Sequence, residues 1–249
     1  MRNHTPLSRL LFDVREHQMT VLRADGLYRH LRFRRPGTGI CGFDLVTWPG
    51  HLVITGDLED FHFARIDDMF EFFRKPVGYI NEGYWAQKLC GPVRAKTFSP
   101  ERFQQQVFEY FWEDRHDRPG PQAPLWRAIC EEVLSEAENG EDASRSALDT
   151  FRYYYPSEPR PEPQPDAVRE VQAPEPAKDF VPQRIPRRSP PSPRARRSAD
   201  VFEFSDSWEW DLTDYDWHFR VSCHAIVWGI NQYDKHRAAI QAAPGPVVT

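Results

Sequence analysis

"LYRHLRFRRPGTGICGFDLVTWPGHLVITGD", residues 27–57, decides the fold. Polar and apolar residues alternate through it with period two, and Pro36-Gly37 and Pro49-Gly50 interrupt it, as antiparallel strands joined by tight turns require. Extended over residues 18–66, with Asp25-Gly26 as a further turn, the alternation predicts a β-meander of about five strands. Turn length sets strand register. A Pro49-Gly50 turn pairs Trp48 with His51, Val46 with Val53 and Asp44 with Thr55. A loop at 36–40 pairs Phe33 with Phe43, Leu31 with Leu45 and Arg32 with Asp44. An Asp25-Gly26 turn pairs Leu22 with Arg29 and Thr20 with Leu31, and a Leu58-Glu59 turn pairs Ile54 with Phe63 and Thr55 with His62.

These registers place Leu27, Leu31, Phe33, Phe43, Leu45, Leu52, Ile54, Phe61 and Phe63 on one apolar face, which helices must cover. The opposite face reads in three rows. One holds Arg32, Asp44, Thr55 and His62; the next His30, Val46, Val53 and Ala64; the third Tyr28, Trp48, His51 and Ile66. A fully wet face would not carry Val46, Val53, Trp48 and Ile66 together, so either this chain or a partner covers it.

From Asp67 the period becomes helical. Asp67 or Asp68 can cap "DDMFEFFRK", "GYWAQKLC" is a short second turn, and Ser99-Pro100 opens a longer helix carrying Phe103, Val107 and Phe111. Leu125, Ile129 and Val133 mark the next, ended by Asn139-Gly140, and residues 141–155 form a further one. Residues 156–199 then hold twelve prolines and almost no large apolar side chains, the composition of a disordered linker. Its first half carries six acids and its second six arginines, Arg184, Arg187, Arg188, Arg194, Arg196 and Arg197. Beyond it, residues from Asp214 read as a helix with one apolar stripe from Tyr215 to Tyr233 and a second at Val221, His224 and Trp228. A helix apolar on two sides is buried on two sides. It is the natural internal cover for the second sheet face. The expected fold class is therefore α+β: a core over 1–155, a linker over 156–200, and a C-terminal segment, 201–240, completing the same core.

The 249 residues carry a formal charge of −5, too small for a net field to recruit nucleic acid or an anionic membrane. Four cysteines, at 41, 90, 130 and 223, form no C-x-x-C pair, which favours reduced thiols over a disulfide framework or zinc knuckle. The first twelve residues do not read as a signal peptide, and no apolar run is long enough to span a bilayer, so a cytoplasmic protein without membrane partners is expected.

Arg32 with Asp44, beside Thr55 and His62, forms a polar row at an interface, with Tyr28, His30 and Trp48 adjoining it. Together these seven residues are the candidate binding surface. Cross-strand Arg–Asp pairs are equally ordinary sheet chemistry. Asp57, Glu59, Asp60, Asp67 and Asp68 flank His62, but their spacing matches no metal-ligand pattern, so neither metal nor cofactor is expected. The acidic run Asp206, Glu209, Asp211, Asp214 and Asp216 alternates with tryptophans and reads as a docking strand whose acids face water. No phosphate loop, nucleophile elbow or zinc-protease motif is present, and no catalytic residue is assigned.

"MTVLRADGLYRHLRFRRPGTG", "FDLVTWPGHLVITGDL", "FARIDDMFEFFR", "INEGYWAQKL" and "WHFRVSCHAIVWGINQYD" resemble a family encoded by bacterial viruses and prophages. The resemblance covers residues 17–90 and 201–235; where the family has Gly-Asp-Met, this chain has Gly56-Asp57-Leu58. It implies a setting and no established activity: an accessory protein, such as an inhibitor of bacterial immunity, binding a host or viral macromolecule in the bacterial cytoplasm. Two other functions are compatible with the residues. One is nucleic-acid binding through the arginine-rich linker and basic hairpin. The other is nucleotide or phosphodiester hydrolysis centred on Asp44 and His62, with Arg32 on phosphate.

Overall fold

A computed structural model describes residues 5–115, 121–155 and 201–242. The expected linker, with its six arginines, lies outside the described residues. The chain divides into two compact units, Met1–Ser99 with Thr213–Thr249, and Pro100–Leu212, where the sequence suggests a single core. The segment after the linker is thus shared: residues 201–212 belong with the middle helices, and the C-terminal helix with the meander.

The first unit is built on a five-stranded antiparallel sheet: β1 (Gln18–Asp25), β2 (Tyr28–Arg34), β3 (Phe43–Trp48), β4 (His51–Gly56) and β5 (Phe61–Ala64), in sequential order. The fold is α+β, as expected. The β2–β3 and β3–β4 pairings are those the turns dictate, with Arg32 opposite Asp44, Val46 opposite Val53 and Trp48 opposite His51. Gly50, at φ +83°, supplies the left-handed residue that follows proline in a tight turn.

Two registers differ from expectation. In β1–β2 the turn is Gly26-Leu27, Thr20 pairs with Arg32 and Val21 with Leu31, and a bulge at Leu22 shifts the remainder. Because a one-residue slip reverses every side chain, this register turns Met19 and Val21 toward the core, where both pack. Arg29, in place of Leu27, is the buried residue on that face. In β4–β5, Ile54 pairs with Phe61 and Val53 with His62, two residues away from the predicted pairing. The cause is Leu58. It is drawn into the core, and its carbonyl accepts a 2.7 Å hydrogen bond from the Ser222 hydroxyl, so six residues, 55–60, separate the paired Ile54 and Phe61 in place of a tight turn.

Four α-helices among the described residues belong to this unit. The first, α1 (Pro6–Asp13), follows Thr5, whose hydroxyl accepts from the Ser8 amide; sequence periodicity did not mark it. The second, α2 (Met69–Phe73), is capped by Asp68, and α3 (Glu82–Ala86) by Asn81. The middle unit contributes α4 (Pro100–Asp114), α5 (Gln122–Glu132) and α6 (Glu141–Thr150) before the C-terminal α7 (Trp217–Ala242). Asp214 and Tyr215, expected to begin α7, instead pair with Thr97 and Lys96 in a short ribbon of 213–215 with 96–98, and Asp216 accepts the amides of His218 and Phe219 to start the helix.

Helix α7 lies on the apolar face of the sheet and not on the opposite one. Phe219 meets Phe61 and Phe63, Trp228 meets Phe33 and Phe43 edge-on, and Gly229 sits against Phe33 and Leu45. The helix is buried on two sides, as its two stripes require, but its other side meets α1 and α2. Beneath it, Arg29 makes a part-buried bidentate pair with Asp68 at 2.6 and 2.8 Å while its guanidinium lies 4.6 Å from the centre of the Phe70 ring. One more segment joins the sheet: beyond β5, Cys90 N–H donates to the His62 carbonyl and Ala64 N–H to the Lys88 carbonyl, an edge ladder centred on Phe63 and Leu89.

In the middle unit, Phe103, Val107, Phe111, Leu125, Ile129 and Leu148 form a helical core. Tyr153–Tyr154 pairs with Val201–Phe202, and Tyr110 donates from its hydroxyl to the Glu203 carbonyl and accepts from the Ser205 amide. All four cysteines are unpaired. No helix among the described residues is long and apolar enough to cross a membrane.

A Cβ on Gly229 would stand 2.8 Å from Leu45 Cδ1 and 3.1 Å from the Phe33 ring. Gly229→Leu is therefore expected to destabilise by about 1–3 kcal/mol through overpacking. Leu45→Ala, which empties the facing volume, should cost about 2–5 kcal/mol alone. The double variant should be more stable than the sum of the two costs, a coupling that urea unfolding of all four proteins measures directly.

Candidate functional site

With α7 on the apolar face, the other face of the sheet keeps its central residues Val46 and Val53 half-buried. Three features of that face follow from strand register.

The first is an aspartate held by two bases. Asp44, buried on the central strand, accepts Arg32 Nε at 3.1 Å and Nη2 at 3.0 Å, and lies 2.7 Å from His30 Nε2. Burial pushes its carboxyl up, but the hydrogen bonds from Arg32 and His30 outweigh this and hold it below its ordinary value. Thr55 faces Asp44 across the ladder, yet His62 does not share the row.

The second is an aromatic and imidazole cluster. The β4–β5 register brings His62 beside His51, with His51 Nδ1 and His62 Nε2 3.0 Å apart. Trp48 stacks on His51 at 5.0 Å between ring centres and lies tilted at 5.5 Å from His62. The edge ladder aligns Cys90 with His62, so the donor atoms of His51, His62 and Cys90 all lie within 4.8 Å of one another. Burial, then the neighbouring His51, lower the His62 pKa below that of a free imidazole. No fourth His, Cys, Asp or Glu joins the group among the described residues.

The third is the basic rim. Tyr28, 47 % exposed, lies at the end of β2 with Arg23 over its ring, and Arg34 is exposed at the opposite end of the strand.

The seven candidate residues therefore share one face but form no single site. His30, Arg32 and Asp44 converge; Trp48 and His62 join His51 and Cys90; Thr55 and Tyr28 stand at the borders. An Asp44–His62 centre, as a hydrolase there would require, is absent among the described residues, because each side chain is engaged with other partners. Of the acids near His62, Asp68 serves Arg29 and the cap of α2. The acidic tryptophan-rich run divides as well: Trp210 packs on Tyr110 and Phe204, whereas Trp208 is exposed.

Cys90 escapes sequence reading because nothing in its local spacing marks it. Only the edge ladder outside β5 carries it to the histidines. The face defines a class, an antiparallel meander covered by a helix on one side and bearing a mixed apolar, aromatic and basic surface on the other. No family model, curated protein or solved structure matches the chain.

Both paired aspartates should be visible in the pH dependence of stability. Hydrogen bonding to Arg29 holds the Asp68 carboxyl low, as Arg32 and His30 do for Asp44. Carboxyls depressed by folding stabilise the protein above the unfolded carboxylate value, ~4, and that stability is lost as pH falls through their lower folded values. Urea midpoints measured from neutral pH down to about pH 2 should fall accordingly, and less steeply in Asp44→Asn. Asp68→Asn, which leaves the buried Arg29 charge without its carboxylate, should cost roughly 3–5 kcal/mol at neutral pH.

Proposed function

We propose that the protein is a binding module that engages another protein through the open face of its meander. The carrying observation is the composition of that face: half-buried Val46 and Val53 at its centre, Trp48 and Tyr28 beside them, and Arg32 on one flank. Apolar centres with aromatic and arginine anchors are what high-energy protein contacts are made of. The occupant is a protein surface with an apolar centre and an acidic rim. Arg23, Arg32 and Arg34 stand on the β1–β2 half of the face, in a chain whose overall formal charge is −5.

The family resemblance gives the setting for this reading, a virus-encoded accessory protein meeting a host or viral protein in a bacterial cytoplasm, with inhibition of host immunity as one outcome. Four unpaired cysteines support a reducing compartment.

The test is capture of partners from bacterial lysate, followed by titration calorimetry with the purified partner. Arg32→Ala and Trp48→Ala should each weaken binding by at least about 2 kcal/mol, roughly 30-fold, if they are anchors. A partner retained with equal affinity by the double variant would exclude this face. If the captured species is instead nucleic acid, bound with steep salt dependence that deletion of residues 182–198 removes, the arginine-rich linker is the binding element.

A further inference from the structure

We propose that His51, His62 and Cys90 together bind a zinc ion on the open face of the meander. The proposal does not rest on the docking reading above, since it concerns an ion and not a macromolecule.

The geometry is the main support. Two imidazole nitrogens, each ~2.0–2.1 Å from a tetrahedral zinc, stand roughly 3.3 Å apart, and a thiolate at ~2.3 Å stands roughly 3.6 Å from each nitrogen. Here the nitrogens are 3.0 Å apart and all three donor atoms lie within 4.8 Å, so the ion is accommodated by small rotations about the side-chain bonds. The three backbones are fixed relative to one another: β4 and β5 are paired through His51–Ala64 and Val53–His62, and the Cys90 amide is tied to the His62 carbonyl at 2.8 Å. His51 and His62 are borne on paired strands, which hold a site better than loops do, and Cys90 is tied to β5 by the bridge beside it.

The donor chemistry selects the ion. Two imidazoles and a thiolate suit zinc and disfavour magnesium and calcium, which take oxygen donors. The alternative is a plain hydrogen bond between two histidines. That bond explains the 3.0 Å separation but not the place of the thiol, which makes a long 4.0 Å hydrogen bond to the Lys88 carbonyl.

Binding balances simply. The thiol proton is released to solvent, and the proton shared between the rings moves to a nitrogen facing away from the ion, leaving Nδ1 of His51 and Nε2 of His62 as donors. Three protein ligands leave one position of the tetrahedron for water, or for a donor from a bound molecule.

The experiment uses the full chain, freed of metal with a chelator, and titrated with Co²⁺ as a spectroscopic probe and with Zn²⁺ against a chromophoric chelator. Wild type should bind a single equivalent, show thiolate-to-cobalt charge transfer with tetrahedral absorption, and unfold at higher temperature with Zn²⁺ present. Cys90→Ser should abolish the charge-transfer band, and Cys90→Ser and His62→Ala should each lose more than about 100-fold in Zn²⁺ affinity, beyond the ~10–100-fold that outer-shell changes cost. Cys41→Ser should retain band and affinity. Circular dichroism of the metal-free variants establishes that they are folded, and the band, which reports the thiolate itself, separates ligation from stability. Absence of saturable binding by folded wild type, or a charge-transfer band that survives in Cys90→Ser, overturns the proposal.

Discussion

The contact of Gly229 with Phe33 and Leu45 is the constraint on which the first unit depends. Without a side chain at that position, α7 approaches the middle of the sheet closely enough for its neighbours Phe219, Ile226 and Ile230 to share one core with β2 to β5 and α2. A bulkier residue would hold the helix away from Leu45 and loosen that core. The close fit also commits α7 to one face. Having buried its other side against α1 and α2, the helix has no surface left for the second face of the meander, which stays open although its centre is apolar.

The open face inherits its chemistry from register, and register was only partly legible in the sequence. The β2–β3–β4 pairings could be read because a proline-glycine turn and a short loop leave few alternatives. Those pairings place Arg32 against Asp44 without reference to the rest of the fold. The β4–β5 pairing could not be read in the same way. It depends on Leu58 leaving the ladder to be buried near Ser222, a residue that comes from the far end of the chain. That tertiary contact moves His62 by two residues, from the Asp44 row to the side of His51. The β1–β2 register was decided by burial of Met19 and Val21 together with a bulge, neither of which a turn motif encodes. Cys90 was illegible for a further reason: an edge ladder of three residues has no periodicity to detect.

Arg29 and Arg32 show how alternation along a single strand divides stability from availability. They are two of three arginines at alternating spacings on β2, yet they point to opposite sides. Arg29 is buried, with Asp68 supplying both carboxylate oxygens and Phe70 its ring face, so its charge is consumed in tying β2 to the cap of α2. Arg32 satisfies Asp44 while its side chain remains 38 % exposed, so part of the guanidinium still faces outward. An arginine read from sequence as half of a structural pair can thus be structural and still be presented to a partner.

That difference bears on what it costs to cover the open face. Removing an isolated charge from water is expensive, and an interface that buried a bare carboxylate would be weakened by it. Asp44 is already desolvated by the fold and already saturated by Arg32 and His30. A partner that settled over the row would therefore meet a pair whose charges are matched beforehand, and the remaining desolvation would fall mainly on the outward edge of Arg32. The side chains are held in place by the sheet, so little conformational freedom is lost on contact. Covering Val46 and Val53 then contributes its apolar gain against a reduced polar penalty. On this argument the buried aspartate is the group that allows a basic and apolar face to coexist on one exposed sheet.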